Sequence, residues 1–230
     1  MRTVAWVAGI GRLSAAELHA LALAADAIDT PVDALAAVIS FETGGTFNPA
    51  EPNRAGSGAT GLIQFMPSTA KSLGATTDAL AKMTFTEQLA YVSRYFSWFR
   101  GPFDTVEKLY CAVFWPAAIH QPDDYVIAVA GSAVFRQNAG FDTRGNRDGK
   151  ITRGEICHAV RSVLDAAADK PRIEIAEPDD AGSPFTNDEK AQILALVAAT
   201  SSLATEDFRH GSPVPDDEVT QPDAPLKPSA

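Results

Sequence analysis

The stretch from Pro31 to Gly74 constrains this chain more than any other. It starts as V-D-A-L-A-A-V-I-S-F-E, in which Val32, Leu35, Ala36 and Ile39 recur on one helical face. It then breaks into T-G-G-T-F-N-P and, after a short interval, A-G-S-G-A-T-G-L-I-Q-F. Thr30 is expected to cap this helix, with Pro31 at its first position, where the missing N–H costs nothing. Thr43, Gly44 and Gly45 are expected to end it, because glycine tolerates the backbone angles that close a helix. Glu42 therefore falls at the seam between an apolar helix and a glycine-rich loop. By itself a glutamate after a helix is most often a solvated surface residue. Here the negative end of the helix dipole and apolar neighbours such as Ile39 and Phe41 both act to raise its pKa. An acid kept protonated near neutrality can give its proton to a leaving oxygen. Gly56, Gly58 and Gly61 punctuate the second loop and let backbone groups approach a ligand closely.

These residues resemble a known family. E-T-G-G-T-F-N-P followed by G-S-G-A-T-G-L-I-Q-F is similar to the motif of soluble lytic transglycosylases and goose-type lysozymes, family 23 of the glycoside hydrolases, where it usually reads E-S-G-F-N-P and then G-L-M-Q. The later blocks E-Q-L-A-Y-V-S-R-Y-F (87 to 96), L-Y-C-A-V-F-W-P-A-A-I (109 to 119) and N-A-G-F-D (138 to 142) are closer to transglycosylase-like proteins of tailed phages. The resemblance implies a mainly α, lysozyme-like helical domain with Gly-rich active-site loops, and Glu42 as the catalytic residue. It implies a loop-setting role for Thr43 and a cleft-lining role for Gln64, for which an amide bonded to the Gly-rich loop is the alternative. Ser57, Phe65, Tyr110, Trp115 and Asn138 complete the candidate substrate-binding set. For Phe65, Tyr110 and Trp115 core packing is the competing role, since aromatic residues at helical spacing are usually core.

The chain departs from the family in one place. Many members carry A-Y-N-A-G, whose tyrosine hydrogen-bonds near the catalytic acid. This chain offers A-V-F-W-P-A (112 to 117), with Phe114 in the tyrosine's place, and Q-N-A-G (137 to 140), which lacks it. Tyr110 is the first candidate for the missing hydroxyl and Tyr125 the second.

Composition sets the domain plan. At 230 residues and 46% hydrophobic content the chain can bury one good-sized core. Residues 1–12 are expected as an N-terminal segment, 13–168 as the lysozyme-like domain, and 169–230 as an acidic, Pro-rich linker and tail with a short helix near 187–200. The net charge of -10 is uneven: residues 1–168 hold 16 acids and 14 bases, residues 169–230 hold 13 acids and 5 bases. A nearly neutral domain is a poor binder of nucleic-acid phosphates. No run approaches the ~20 apolar residues of a membrane span, and M-R-T-V-A-W-V-A-G-I-G-R is too short and glycine-broken for a secretory signal. Cys111 and Cys157 both lie in apolar helical patterns, where a buried free thiol is the usual state.

Local signals mark the other helices. Ser14 with Glu17, Thr84 with Glu87, Thr152 with Glu155 and Thr186 with Glu189 have capping-box spacing, and Asp104 or Thr105 can cap the helix that Trp115-Pro116 stops. Residues 142–155, D-T-R-G-N-R-D-G-K-I-T-R-G-E, resemble an EF-hand loop with Asn146, Asp148 and Glu155 at ligand positions for Ca2+. Its first ligand slot is Arg144, a cation, so a degenerate turn whose Thr152 and Glu155 cap a helix is the favoured reading. No metal or cofactor is required.

Most glycosidases use two carboxylates. Only Glu42 is signposted here; Glu51, in the adjoining loop, is expected to be solvent-exposed. The resemblance therefore implies a lytic transglycosylase, in which Glu42 cleaves the MurNAc-GlcNAc β-1,4 bond of peptidoglycan with formation of 1,6-anhydro-MurNAc. The rivals are a goose-type-like hydrolysing lysozyme and a virion structural or glycan-binding protein. The expected setting is a phage virion, or the host cytoplasm before release to the periplasm and cell wall, with other virion proteins met through the C-terminal tail.

Overall fold

Helices begin where the sequence supplies a cap. The computed structural model describes residues 2–53, 56–177 and 185–201, and these are mainly helical. In chain order the elements are β1 (Arg2–Val4), α1 (Ala15–Ala27), α2 (Val32–Glu42), two short helices α3 (Pro67–Ser72) and α4 (Thr77–Leu80), α5 (Phe85–Phe96), α6 (Val106–Phe114), β2 (Val126–Val129), α7 (Ala133–Asn138), α8 (Gly140–Arg144), β3 (Lys150–Thr152), α9 (Arg153–Asp165), β4 (Ile173–Ile175) and α10 (Asn187–Ser201). Reciprocal capping boxes open α1, α5 and α9 at Ser14, Thr84 and Thr152, and Thr105 rather than Asp104 caps α6. Thr30 does not cap α2. Its hydroxyl donates to the Phe103 carbonyl at 2.6 Å, and Pro31 takes the cap position without a side-chain bond.

Helix α2 is the centre of the packing. Leu35, Ala36, Ala37, Val38 and Ile39 are each 0% exposed, so the helix has no solvent face through its middle. Helices α1, α6 and α9 and strand β1 surround it. Small alanines on α1 and α2 let these helices approach closely, and α10 lays Ile193 and Leu196 against α1 and α5.

Two antiparallel strand pairs complete the body. β1 pairs with β4, matching Arg2 with Ile175 and Val4 with Ile173. Residues 169–177 are therefore not the linker expected from their acidic, Pro-rich setting. The alternation of Ile173 and Ile175 makes a strand, and Arg172 holds it by donating to Asp33 at 2.9 Å and to the Thr3 hydroxyl at 2.7 Å. β2 pairs with β3 on a side lobe with α7 and α8, where Ile151 is sealed opposite Ala128. No described helix is long and apolar enough to cross a membrane. The rest of the tail, 178–184 and 202–230, including the segment expected to meet virion proteins, lies outside the described residues.

The N-terminal turn is locked to the loop after α2 by two glycines. A Cβ on Gly9, which has φ +85°, would lie 1.7 Å from the Gly45 carbonyl oxygen, whereas one on Gly11 would meet only the Trp6 ring at 3.4 Å. Gly9→Ala is expected to cost more than about 2 kcal/mol in urea denaturation, and Gly11→Ala less than about 0.5 kcal/mol. Equal effects from the two substitutions would refute the backbone-contact explanation.

Candidate active site

The site is built from the end of α2. Gly45 N–H donates to the Ser40 carbonyl at 2.7 Å and Gly44 N–H to that of Phe41 at 3.3 Å, the paired bonds of a Schellman ending. Both glycines have positive φ, 60° and 78°. Thr43 locks the turn from inside: its hydroxyl donates to Ile39 O at 2.7 Å and accepts from Phe47 N–H at 3.1 Å. This is the loop-setting geometry expected of Thr43.

Glu42, the last helical residue, is 7% exposed, and its Oε1 finds no hydrogen-bond partner among the described residues. Burial raises its pKa from the usual carboxylate range to about 8. Tyr95 and Tyr110 stand close enough that the Glu42 charge, after burial itself, pushes both phenols upward. The Tyr95 hydroxyl donates to Ala112 O at 2.7 Å. The Tyr110 hydroxyl has no partner among the described residues, and its ring packs edge-on to Phe41 and stacks on Phe114. A buried acid of raised pKa thus stands near an unpartnered phenol that is itself packed among aromatic rings.

A second loop lies alongside. The Glu51 carbonyl gathers Gly61 N–H at 2.9 Å, Gln64 Nε2 at 3.1 Å and the Thr60 hydroxyl at 3.2 Å. Gln64, with its uncommon positive φ of 53°, is thereby tied to the Gly-rich loop, the alternative weighed above for its amide. Glu51 is half-buried rather than solvent-exposed, and its carboxylate accepts from the Thr46 hydroxyl at 2.8 Å. The loop's short length explains this, since Thr46 is only five residues away.

The remaining candidates separate. Ser57 accepts from Ala59 N–H at 3.1 Å within its own turn. Phe65 is 2% exposed and packs edge-on to Tyr95, a core contact. Trp115 is half-buried where α6 stops. Asn138 is buried on α7, which packs chiefly on β2 and β3, and Tyr125 lies at that lobe too, its carbonyl accepting from Arg153 N–H at 2.9 Å. In the EF-like loop the Glu155 carboxylate receives Thr152 and Asn146 N–H groups, and Asp142 receives Gly149 N–H at 3.1 Å. No group of three His, Cys, Asp or Glu side chains converges as a metal would need among the described residues. An open depression of about 450 Å³, lined by Asp26, Asp29, Thr30 and Asp104, lies at the other end of α2. Its acids are exposed, and about 16 Å of helix separates it from Glu42.

Sequence reasoning missed Gln88. It is fully buried on α5, accepts from Leu62 N–H at 2.7 Å, and donates to Leu80 O at 2.8 Å and Pro49 O at 3.0 Å. One amide therefore ties together both loops and α4. Its signal was an amide within the apolar stripe Phe85, Leu89, Val92, Phe96. Comparisons with protein-family models, curated proteins and solved structures find no match to this chain.

Gln88→Leu removes the partner of the buried Leu62 N–H and one bond each from the Leu80 and Pro49 carbonyls, and is expected to cost about 1–4 kcal/mol in guanidinium denaturation; a loss under about 0.5 kcal/mol would contradict this role. Glu42 gives a second expectation. Its folded pKa is raised, so its contribution is fully present below the unfolded pKa near 4.5 and is lost as pH rises toward about 8. Glu42→Gln should therefore gain up to about 5 kcal/mol over wild type at pH 8 relative to their difference at pH 4. Parallel stability curves for the two proteins would show that Glu42 has no raised pKa.

Proposed function

We propose that the protein is a peptidoglycan lytic transglycosylase with Glu42 as its acid and its base. The observation that carries this reading is a buried carboxyl, its pKa raised by that burial to about 8, at the end of α2 and directly before a glycine loop. The likeness of E-T-G-G-T-F-N-P and G-L-I-Q-F to soluble lytic transglycosylases supports the same assignment. Glycan strands approach past Gly44, beside which a Cβ would meet no atom within 4 Å.

Protonated Glu42 gives its proton to the oxygen joining MurNAc to GlcNAc, and the C1–O bond breaks. The carbonyl oxygen of the substrate's own acetamido group stabilises the cationic C1. The Glu42 carboxylate then takes the proton of the C6 hydroxyl, whose oxygen bonds to C1 to form the 1,6-anhydro ring. Glu42 ends protonated, as it began. Tyr110 serves as the phenol that bonds the transient carboxylate, in place of the family's tyrosine. Delivery to the cell wall by a phage particle fits the likeness of the later blocks to phage proteins.

The test is digestion of purified peptidoglycan by wild type and Glu42→Gln, with sugar ends read by mass spectrometry. Wild type is expected to release anhydro ends, with kcat/KM falling as pH rises through about 8, and Glu42→Gln to lose at least ~100-fold in rate. Reducing ends from wild type would instead mark a hydrolase, with the Thr46-held Glu51 as the next carboxylate to substitute. No cleavage by either protein would favour a structural or glycan-binding role.

A further inference from the structure

Two thiols face each other between helices that both pack on α2. Cys111 on α6 and Cys157 on α9 are 0% and 3% exposed, both are free, and their Sγ atoms are 3.7 Å apart. A disulfide needs about 2.0 Å, so each sulfur has to move less than about 1 Å. Helices α6 and α9 pack on each other and both pack on α2. A bond at this point would join two of the helices that pack on α2, whose last residue is Glu42. α6 also carries Tyr110 and the carbonyl of Ala112 that anchors the Tyr95 hydroxyl. The pair is chemically unequal. The hydrogen bond from Cys157 and the nearby Arg153 guanidinium hold the Cys111 thiol below its ordinary range, while the same hydrogen bond and burial push Cys157 up. Both sulfurs are sealed in the folded body, so Cys111 meets an oxidant during folding, before α6 and α9 close on each other, and that packing then brings Cys157 to it.

We propose that Cys111 and Cys157 form a redox-active dithiol that closes to an intramolecular disulfide in an oxidising compartment and clamps α6 to α9. The oxidant is a small disulfide. Cys111 thiolate attacks one of its sulfurs and expels a thiolate, leaving a mixed disulfide on Cys111. Cys157 loses its proton and attacks the Cys111 sulfur, expelling the second thiolate. In sum, two protein thiols are oxidised by two electrons and one small disulfide is reduced to two thiols. The compartment, the one that holds peptidoglycan, rests on the transglycosylase reading. Bond formation is measured without activity, so either idea can fail alone.

The experiment refolds reduced, denatured full-length wild type and Cys157→Ala in a glutathione redox buffer. Thiols are then alkylated in denaturant, and intact mass, non-reducing gels and Tm are recorded. The expected wild-type product is a monomer with no alkylated thiol and no glutathione adduct. Closing a loop between residues 46 apart should raise its Tm by at least ~5 °C over the dithiothreitol-treated protein. Cys157→Ala should show no such rise. Two alkylated cysteines, a persistent glutathione adduct, disulfide-linked dimers, a Tm lowered or unchanged by oxidation, or an equal rise in Cys157→Ala would each overturn the proposal.

Discussion

A carboxyl sealed at the end of a helix with no solvent face is the constraint on which the rest of the structure depends. Water stabilises a carboxylate, and Glu42 has given up nearly all of it. At pH values between its unfolded and folded pKa, folding must force a proton onto this side chain, and the packing around α2 has to offset that. The offset comes from an aliphatic interior: Leu35, Val38 and Ile39 on α2, Leu21 on α1, Leu109 on α6 and Val160 on α9 are all inaccessible to water. The packing that excludes solvent from α2 is thus also what raises the pKa of Glu42.

Such a site requires walls that do not move, and here they are held mainly through the backbone. The Glu51 carbonyl, the two N–H groups of the Schellman ending and the Gly9–Gly45 approach involve main-chain atoms whose positions do not depend on rotamers. Gln88 plays the complementary part from α5, filling backbone hydrogen-bonding needs that two irregular loops cannot meet themselves. The space is so tight that a Cβ on Gly61 would fall 2.4 Å from the Gln88 Oε1. Loop and amide fit only as a pair.

Much of this was legible where the physics is local. Capping boxes at Ser14, Thr84 and Thr152 need only residues three apart, and the helix end at Glu42-Thr43-Gly44-Gly45 needs only its own glycines. The place of Glu42 at a helix end, with Ile39 and Phe41 as apolar neighbours, followed from that same seam. Long-range partners were not legible. Thr30 has the right chemistry for a cap but meets Phe103, 73 residues on, and Arg172 finds Asp33 across the fold. Ile173 and Ile175 were hidden by acidic neighbours because the partner strand lies at the other end of the described chain. Tyr95 reads as one more core aromatic; only the folded arrangement brings it near Glu42, with its hydroxyl on α6. The Thr152 and Glu155 pair behaves as the favoured reading of the EF-like loop required, with its carboxylate occupied by helix-capping donors.

The pairing of β1 with β4 has a consequence for how the chain comes off the ribosome. Residues 2–4 are made before α1, yet their partners at 173–175 emerge only after α9. Val4 is fully buried in the finished protein, so throughout synthesis it waits without its cover. Helices rich in local contacts form early and quickly, whereas a contact this distant in sequence must bear the entropy of closing a very long loop. The clasp therefore engages late in translation, with only α10 still to follow, and a nascent chain stalled before residue 173 would hold its earlier helices without the strand that pairs with β1.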